Sequence, residues 1–344
     1  MGQLIDGIDA GVMFSFRNPA GWRRPFVDVY RDELQLAVEA EALGFDTIWL
    51  TEHHFADDGY SPSILTIAAA IAARTERVRI GFNLLLLPLH HAVRLAEDLA
   101  TLDVLSNGRI DVGVGQGYAV HEFAGFGIDR AERLGRFIEG LDVLSGLWEN
   151  EVFSYDGRHY HIDRARLSPR PVQQPSPPLW IGATSSKAVA RAGRRGAHLL
   201  GLANRQLQAT YDEARAVAGF DDEANVLQLH WTHVAADNDT AWADATLPFH
   251  HLLDVYAAWG NTAAEADGST FRQVVPAPDQ LRDPDQRLIF DPVFGSPDEV
   301  AKVLTASMQR VRTTHLALGV LPGMAPHLVR DSLSRFATEV APHL

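Results

Sequence analysis

Residues 44–55 read Gly-Phe-Asp-Thr-Ile-Trp-Leu-Thr-Glu-His-His-Phe and contain the unit from which the fold is predicted. Gly44 follows a stretch with apolar residues at helical spacing and is a typical helix C-cap. Residues 47–50 form a short apolar strand, and the polar cluster 51–54 follows at its carboxyl end. A helix, a strand and a polar strand end in this order are typical of one β/α repeat.

The same alternation continues in both directions along the chain. Strands are predicted at residues 11–16, 47–50, 78–87, 110–114, 179–182, 197–202, 226–234 and 315–319. Eight strands joined by helices predict a single (β/α)8 TIM barrel spanning residues 1–344. A doubly wound open sheet is the competing fold. The barrel is favoured because the strand count reaches eight and because no Gly-x-Gly-x-x-Gly follows the first strand.

Two insertions interrupt the barrel pattern. Alternating residues around Asp156-Gly157 predict a hairpin near 151–162. The helix predicted at 240–259 is followed by a long polar stretch near 261–291 without a clear period. Stretches of this length inside a compact domain are commonly functional loops, and a mobile lid is predicted here.

Composition excludes several classes of function. The chain has 344 residues, 46% hydrophobic and 22% charged, with a net charge of −14. This negative charge disfavours a nucleic-acid partner, and the lack of cysteine excludes disulfides, thiolate metal sites and cysteine nucleophiles. No signal peptide is visible, and the apolar runs are too short to span a membrane. We therefore expect a soluble cytoplasmic protein without a membrane partner.

The sharpest chemical feature is Glu52-His53-His54 at the end of the second strand. A histidine beside a carboxylate titrates near neutrality and can move protons. The alternative is a hydrogen bond with a purely structural role in the upper layer of the barrel, and the sequence leaves both interpretations open. A metal site is not predicted, because the His-Glu-x-x-His spacing is missing.

Two other strand ends carry groups suited to a phosphate or a planar ring. Residues 113–117 are rich in glycine, which lets a ligand approach the backbone closely, although a tight barrel corner explains them as well. At residues 182–187 a strand ends and a helix begins with a Thr-Ser-Ser run. Free amides and hydroxyls at a helix N-terminus favour an anion site, with an ordinary Ser N-cap as the alternative.

Taken together, these segments resemble the luciferase-like flavin monooxygenase family over nearly the whole chain. The matching motifs lie at residues 44–55, 87–98, 105–109, 113–118, 122–123, 126–127, 177–182 and 292–297. Several ordered motifs at matching intervals are more specific than any one of them.

The resemblance implies reduced FMN bound at the carboxyl ends of the strands and activation of O2 on that flavin. His53 matches the catalytic histidine of the luciferase α subunit and is expected to act as acid and base, with Glu52 orienting or tuning it. The resemblance also implies a non-prolyl cis peptide bond at Asn83-Leu84, a phosphate-binding segment around Ser185 and a mobile lid near 261–291. The residues expected to bind the cofactor are Asn83, Leu84, Gln116, Tyr118, Gly182, Thr184, Ser185 and Ser186. Phe14, His54 and Trp231 are expected to line an apolar substrate pocket to which Tyr118 also contributes.

One position departs from the family pattern. Gln116 stands where the luciferase α subunit has an arginine that holds the flavin phosphate, so Lys187 or helix-end amides would have to compensate. This departure leaves room for the deazaflavin F420, used by relatives with the same barrel.

The resemblance favours a two-component monooxygenase that receives FMNH2 from a separate flavin reductase and oxidises a small organic substrate. A homodimer is expected through the Ala-rich residues 67–73. An F420-dependent hydride-transfer enzyme, a non-catalytic flavin-binding protein and a metallohydrolase built on His53 and His54 are the alternatives.

Overall fold

The computed structural model describes residues 3–201, 204–283, 285–286 and 290–344. The strands in this part of the chain are β1 (Asp9–Phe14), β2 (Thr47–Leu50), β3 (Arg79–Phe82), β4 (Leu85–Leu86), β5 (Ile110–Gly115), β6 (Phe153–Asp156), β7 (His161–Ala165), β8 (Leu179–Gly182), β9 (His198–Leu200), β10 (Val226–Val234), β11 (Pro292–Gly295) and β12 (His315–Gly319). The α-helices are α1 (Phe26–Leu43), α2 (Ile64–Ala72), α3 (Ala92–Ser106), α4 (Val120–Gly125), α5 (Arg133–Glu149), α6 (Ser186–Arg194), α7 (Arg205–Val217), α8 (Asn238–Ala266), α9 (Pro297–Arg310) and α10 (Pro326–Arg335).

Eight parallel strands close into a barrel, which confirms the predicted (β/α)8 fold. The order around the barrel is β1, β2, β3, β5, β8, β9, β10 and β12, and β12 returns to β1 with His315 opposite Asp9 and Gly319 opposite Met13. Because the strands are parallel, their carboxyl ends form one rim, which we call the barrel mouth.

The core has two layers, one on each side of the strands. The larger layer lies between strands and helices and contains Val12, Phe14 and Leu50. The smaller layer fills the barrel and contains Met13, Trp49 and other bulky side chains. Successive side chains of a strand point to opposite faces. The expectation that Phe14 lines the substrate pocket is therefore wrong, since the inward-facing neighbour is Met13.

The third predicted strand is interrupted at the point where the resemblance implies a cis bond. Residues 78–87 form two short strands, β3 and β4, and the Asn83–Leu84 peptide between them is cis. The expected cis bond is therefore present. Leu85 of β4 pairs with Val114 of β5, beyond the pairing of β3 with the same strand.

Two short elements are missing from the sequence-based assignment. Strand β11 pairs with the end of β10, with Trp231 opposite Pro292, outside the eight-strand barrel. Helix α4 lies in the β5–α5 connection. Each covers six residues or fewer, too short for a clear period. The predicted strand 197–202 is observed as β9, and Leu202 lies outside the described residues.

The insertions differ in how well they were predicted. The hairpin near 151–162 is present as the antiparallel pair β6 and β7. Helix α8 continues to Ala266, so residues 261–266 of the predicted lid are helical. Ala263, Ala264 and Ala266 favour a helix, and the chain beyond it folds back so that the Asn261 side chain bonds the backbone of Gln273 at 2.7 and 2.9 Å. Residues 284 and 287–289 of the predicted lid lie outside the described part.

In the described ranges, no helix combines the length and apolar character needed to cross a membrane.

Candidate active site

Leu84 lies between two glycines at the barrel mouth. A Cβ atom on Gly115, at the end of β5, would lie 2.6 Å from Leu84 Cδ1, and one on Gly182, at the end of β8, would also collide with the Leu84 side chain. Asn83 reaches toward β1, with its Nδ2 atom 3.7 Å from Met13 Sδ. The ends of β1, β3, β5 and β8 therefore meet around Asn83 and Leu84, and a side chain at either flanking glycine would require Leu84 to move.

His53 lies beside the mouth and is held by Glu122 of helix α4. Its Nδ1 atom is 2.9 Å from Glu122 Oε1, which also accepts the backbone N–H of His54 at 2.9 Å. Both side chains are buried. The second oxygen, Glu122 Oε2, is buried and has no hydrogen-bond partner within the described residues.

The expectation that Glu52 orients His53 is wrong. Glu52 accepts the backbone N–H of Leu86 at 2.6 Å, and its Oε1 atom lies 3.1 Å from His54 Nε2 and 2.9 Å from His90 Nε2. Adjacent side chains on an extended segment point in opposite directions. Glu52 and His54 therefore form one network, and His53 joins another.

The Glu52 network is held in its charged form. Burial by itself raises the pKa of Glu52, but the charge of His90 and the hydrogen bonds from both histidines outweigh it and bring the pKa to about 2. Burial lowers the pKa of His90, and the nearby Glu52 carboxylate reverses this and raises it. An ionised carboxylate with all these partners is suited to fix strand β4, which carries the chain beyond Leu84.

Four aromatic rings surround His53. The ring-centre distances are 4.6 Å to Trp259, 4.7 Å to Tyr60, 5.8 Å to Tyr256 and 6.2 Å to Tyr118. The hydroxyls of Tyr60 and Tyr256 are 2.7 Å apart. Burial raises the pKa of Tyr60, Tyr118 and Tyr256, so these phenols stay neutral at physiological pH.

Next to this group lies a buried ion pair that sequence reasoning missed. Arg17 Nε donates to Asp58 Oδ2 at 2.6 Å, and His251 Nε2 of helix α8 lies 3.0 Å from the same oxygen. The Arg17 guanidinium stacks 4.5 Å from the centre of the Tyr60 ring. These contacts fasten α8 to the loops that follow β1 and β2.

Glu122, Tyr256 and Trp259 were also not assigned a role from the sequence. Glu122 stood only within a matching motif, and α4 was not predicted. Tyr256 and Trp259 lie three residues apart in a predicted helix and therefore share one face. This shared helix face was the feature of the sequence from which both residues could have been found.

Trp231 and His54, both expected to line the substrate pocket, lie in different places. Trp231 lies in the barrel interior, with its ring centre 6.2 Å from Phe290, which is 5.2 Å from Tyr256. Its buried Nε1 atom has no partner within the described residues. His54 packs against Phe126, with the ring centres 4.7 Å apart, away from Trp231.

The expected phosphate segment is exposed. Thr184, Ser185, Ser186 and Lys187 all lie at the surface, as does Gln116. Ser185 caps α6, and its side chain accepts the N–H of Ala188 at 3.4 Å. The cap and the accessible amides occur together, so the two interpretations of this segment are compatible.

The arrangement is suited to proton transfer in a buried site. Glu122 occupies Nδ1 of His53, and Nε2 has no partner within the described residues, so Nε2 is the nitrogen available for exchange with a bound molecule. The His53 side chain is only 7% exposed, which limits its contact with solvent. No group of three or more His, Asp or Glu side chains placed to hold a metal occurs in the described ranges.

Comparison with protein families gives one match over most of the chain. The family of luciferase-like monooxygenases matches residues 8–315.

Curated relatives match over shorter segments. An uncharacterised protein of Sinorhizobium fredii is 37% identical over 52% of this chain and 51% of its own length. The oxygenase component of the flavin-dependent trigonelline monooxygenase of Acinetobacter baylyi is 25% identical over 67% of this chain and 66% of that protein. An F420-dependent glucose-6-phosphate dehydrogenase of Microbacterium testaceum is 36% identical over 47% and 49%. The chain thus spans about half to two thirds of the length of these relatives.

Solved structures with the same fold cover almost the entire chain. Monooxygenase RslO1 from Streptomyces bottropensis superposes with a TM-score of 0.83 at 24% identity, covering 98% of this chain and 99% of that chain. The oxygenating constituent of 3,6-diketocamphane monooxygenase from Pseudomonas putida, in complex with FMN, gives 0.79 at 20% identity, covering 97% and 98%. At these identities the likeness establishes the fold.

Proposed function

Because the chain belongs to the family of luciferase-like monooxygenases, we propose that it is the oxygenase component of a two-component enzyme. It uses reduced FMN and O2 to oxidise a small, largely apolar organic substrate. The observation that carries this proposal is the His53–Glu122 pair, buried beside the barrel mouth within a wall of four aromatic rings.

The side chains at the mouth fit a planar ring with a phosphate tail. Because Gly115 and Gly182 carry no side chains, Leu84 lies against both strand ends, where a Cβ atom would collide with it. We assign the ring to the shelf formed by Asn83 and Leu84, with Tyr118 beside it. We assign the phosphate to Thr184, Ser185, Ser186 and the amides at the start of α6. Gln116 offers an amide and no charge.

Bound FMNH2 would supply the electrons and the reaction with O2. The chain supplies a proton at His53 Nε2 and takes it back, while Glu122 holds Nδ1–H and fixes the tautomer. Glu122 also stabilises the imidazolium when His53 is protonated.

The aromatic wall limits the access of water to this proton. Tyr60, Tyr256 and Trp259 come from two elements that the hydroxyl pair and the Arg17–Asp58–His251 contacts hold together. A dry site strengthens the electrostatic interactions inside it and suppresses side reactions. We assign Trp231 to the substrate side of the pocket because its buried Nε1–H is unpaired in the described part of the chain.

Oxygenase components of this kind depend on another protein for electrons, so we propose a separate flavin reductase as the partner. A homodimer and a cytoplasmic location complete the proposal.

An anaerobic titration of the apo-protein with FMN, FMNH2 and F420 tests the cofactor assignment. We expect tighter binding of FMNH2 than of F420, followed by O2 consumption when air is admitted with a substrate. Tight F420 binding with hydride transfer in the absence of O2 would overturn the monooxygenase assignment.

That F420-dependent activity is the second candidate function. The dehydrogenase of Microbacterium testaceum, 36% identical over about half of this chain, favours it, and so does the uncharged Gln116. Tight flavin binding without turnover under any reductant would instead indicate a non-catalytic flavin-binding protein.

A further inference from the structure

Arg130 connects two segments that are far apart in the sequence. Its Nη1 and Nη2 atoms donate to the two carboxylate oxygens of Asp267 at 2.7 and 2.8 Å, and its Nε atom donates to the backbone oxygen of Tyr118 at 2.9 Å. The Arg130 side chain is 14% exposed, whereas that of Asp267 is 51% exposed. A planar guanidinium that makes three bonds to two partners fixes their relative position.

These two partners belong to two different segments that both contribute rings to the wall around His53. Asp267 is the C-cap of α8, the helix that carries Tyr256 and Trp259. Tyr118 belongs to the loop between β5 and α4 and faces His53 edge-on at 6.2 Å. Helix α4, which follows that loop, also contacts α8 at His121 and Trp259, with ring centres 5.2 Å apart. Arg130 therefore links the end of α8 to the Tyr118 loop.

The position of Asp267 explains why a tether is useful there. Gly268 follows with φ of +78°, a left-handed conformation suited to a sharp change of direction, and the chain then returns along α8 to Gln273. An ion pair whose carboxylate is half exposed, as Asp267 is, contributes little to the overall stability of a protein. The expected effect of Arg130 is therefore local.

We propose that Arg130 is a positioning residue that holds the C-terminal end of α8 against the Tyr118 loop and so keeps water away from His53 during turnover. This inference rests on the proposed function. It concerns coupling, that is, the fraction of reduced cofactor spent on substrate and not lost as hydrogen peroxide.

The test uses the full-length protein and the variants Arg130→Gln, Asp267→Asn and the double variant. Arg136→Gln is the matched control, because Arg136 also lies near the start of α5 and pairs with Glu132 at 3.1 Å. Asp267→Glu keeps the carboxylate and is the conservative variant. Hydrogen exchange of residues 256–273 is measured without cofactor, and peroxide per oxidised substrate is measured during turnover.

We expect the two single variants to accelerate exchange in residues 256–273 and to raise peroxide release several-fold, with melting temperatures close to wild type. The double variant should behave like Arg130→Gln, which by itself removes both the pairing with Asp267 and the bond to the Tyr118 carbonyl. Asp267→Glu should lie nearer to wild type than Asp267→Asn, and Arg136→Gln should match wild type. Unchanged exchange in Arg130→Gln overturns the tether, and changed exchange with unchanged peroxide overturns its role in coupling.

Failure of the proposed function gives a different result. A wild-type protein that transfers hydride between its substrate and F420 without O2 and produces no peroxide contradicts the monooxygenase assignment. The exchange measurement then decides on the tether by itself.

Discussion

The sequence predicts Glu52 as the acidic neighbour of His53, whereas the structure gives this place to Glu122. Glu122 contacts His53, whereas Glu52 is bound by His54, His90 and the Leu86 amide. A change at either carboxylate should therefore affect different properties of the enzyme.

His53→Ala is expected to reduce turnover about 10²-fold or more, as the loss of a general acid–base group does, with flavin affinity largely unchanged. Glu122→Gln should reduce turnover less. The amide keeps an acceptor oxygen for His53 Nδ1–H but loses the negative charge that stabilises the imidazolium. Steady-state kinetics and FMN titration of both variants measure these changes. Wild-type turnover in Glu122→Gln would contradict the pairing.

Glu52→Gln should act on the structure around Leu84. Removing one member of a buried charge network costs roughly 3 kcal/mol, and a loosened β4 should weaken FMN binding. The pH–rate profile of the remaining activity should keep its shape. Urea unfolding and FMN titration measure these effects. Full stability and affinity together with lost turnover would instead assign Glu52 to the chemistry.

Strands β5 and β8 end in glycines because Leu84 occupies the space in front of them. At Gly182 a methyl group would collide with the Leu84 side chain, whose far end can move aside. Gly182→Ala should therefore displace Leu84 and weaken FMN binding by about tenfold, or ~1.4 kcal/mol, with a smaller loss of stability.

Gly21→Ala is the control for this change, because a Cβ atom at Gly21 has no neighbour within 4 Å and φ is not positive there. Equal FMN affinities of the two variants and the wild type, measured by fluorescence quenching, would place the flavin elsewhere.

Helix α8 is longer than its sequence predicts. The predicted helix ended at Trp259, before Gly260, Asn261 and Thr262, which have low helix propensity. The returning chain overcomes this by bonding the Asn261 side chain, and Arg130 bonds Asp267 at the helix end. These long-range contacts override a local preference.

The protein as a whole carries buried groups whose pKa values shift in opposite directions. Burial raises the pKa of Glu33 to about 8 and that of Asp9 to about 7. Burial lowers the pKa of His230 and His315 to about 4. In each case burial in the folded protein favours the uncharged side chain, which is the protonated form of the two carboxyls and the unprotonated form of the two histidines.

The sign of the pH effect follows from proton binding. Above the unfolded value of the carboxyls the folded protein binds more protons at Glu33 and Asp9, so their contribution to stability is lost as pH rises toward 8. Below about pH 6.5 the unfolded protein binds more protons at the two histidines, so stability is lost on that side as pH falls toward 4. Above pH 6.5 the effect of these carboxyls remains, and the raised pKa of His90 acts in the same direction, so we expect the free energy of unfolding to fall from pH 6.5 to 8.

Glu33→Gln should flatten this decline, since the amide keeps an acceptor for the Phe16 N–H, which Glu33 binds at 2.8 Å, and has no proton to lose. Denaturant unfolding at several pH values measures the slope. A steeper decline in the variant than in the wild type would contradict the assignment to Glu33.

Sequence and tertiary structure determined different parts of this protein. The eight-strand barrel, the 151–162 hairpin, the cis bond at Asn83-Leu84 and the family could be predicted from the sequence. Periodicity, turn residues and ordered motifs are properties of short segments and can be read without knowing the neighbours in space.

The partner of His53, the inward position of Met13 in place of Phe14, and the wall formed by Tyr60, Tyr118, Tyr256 and Trp259 were decided by the tertiary structure. His53 and Glu122 are 69 residues apart in the chain, and Tyr60 and Tyr256 are 196 apart. Barrel closure brings such distant residues into contact, because it fixes which face of each strand points inward and which loops meet at the mouth. No local pattern contains that information.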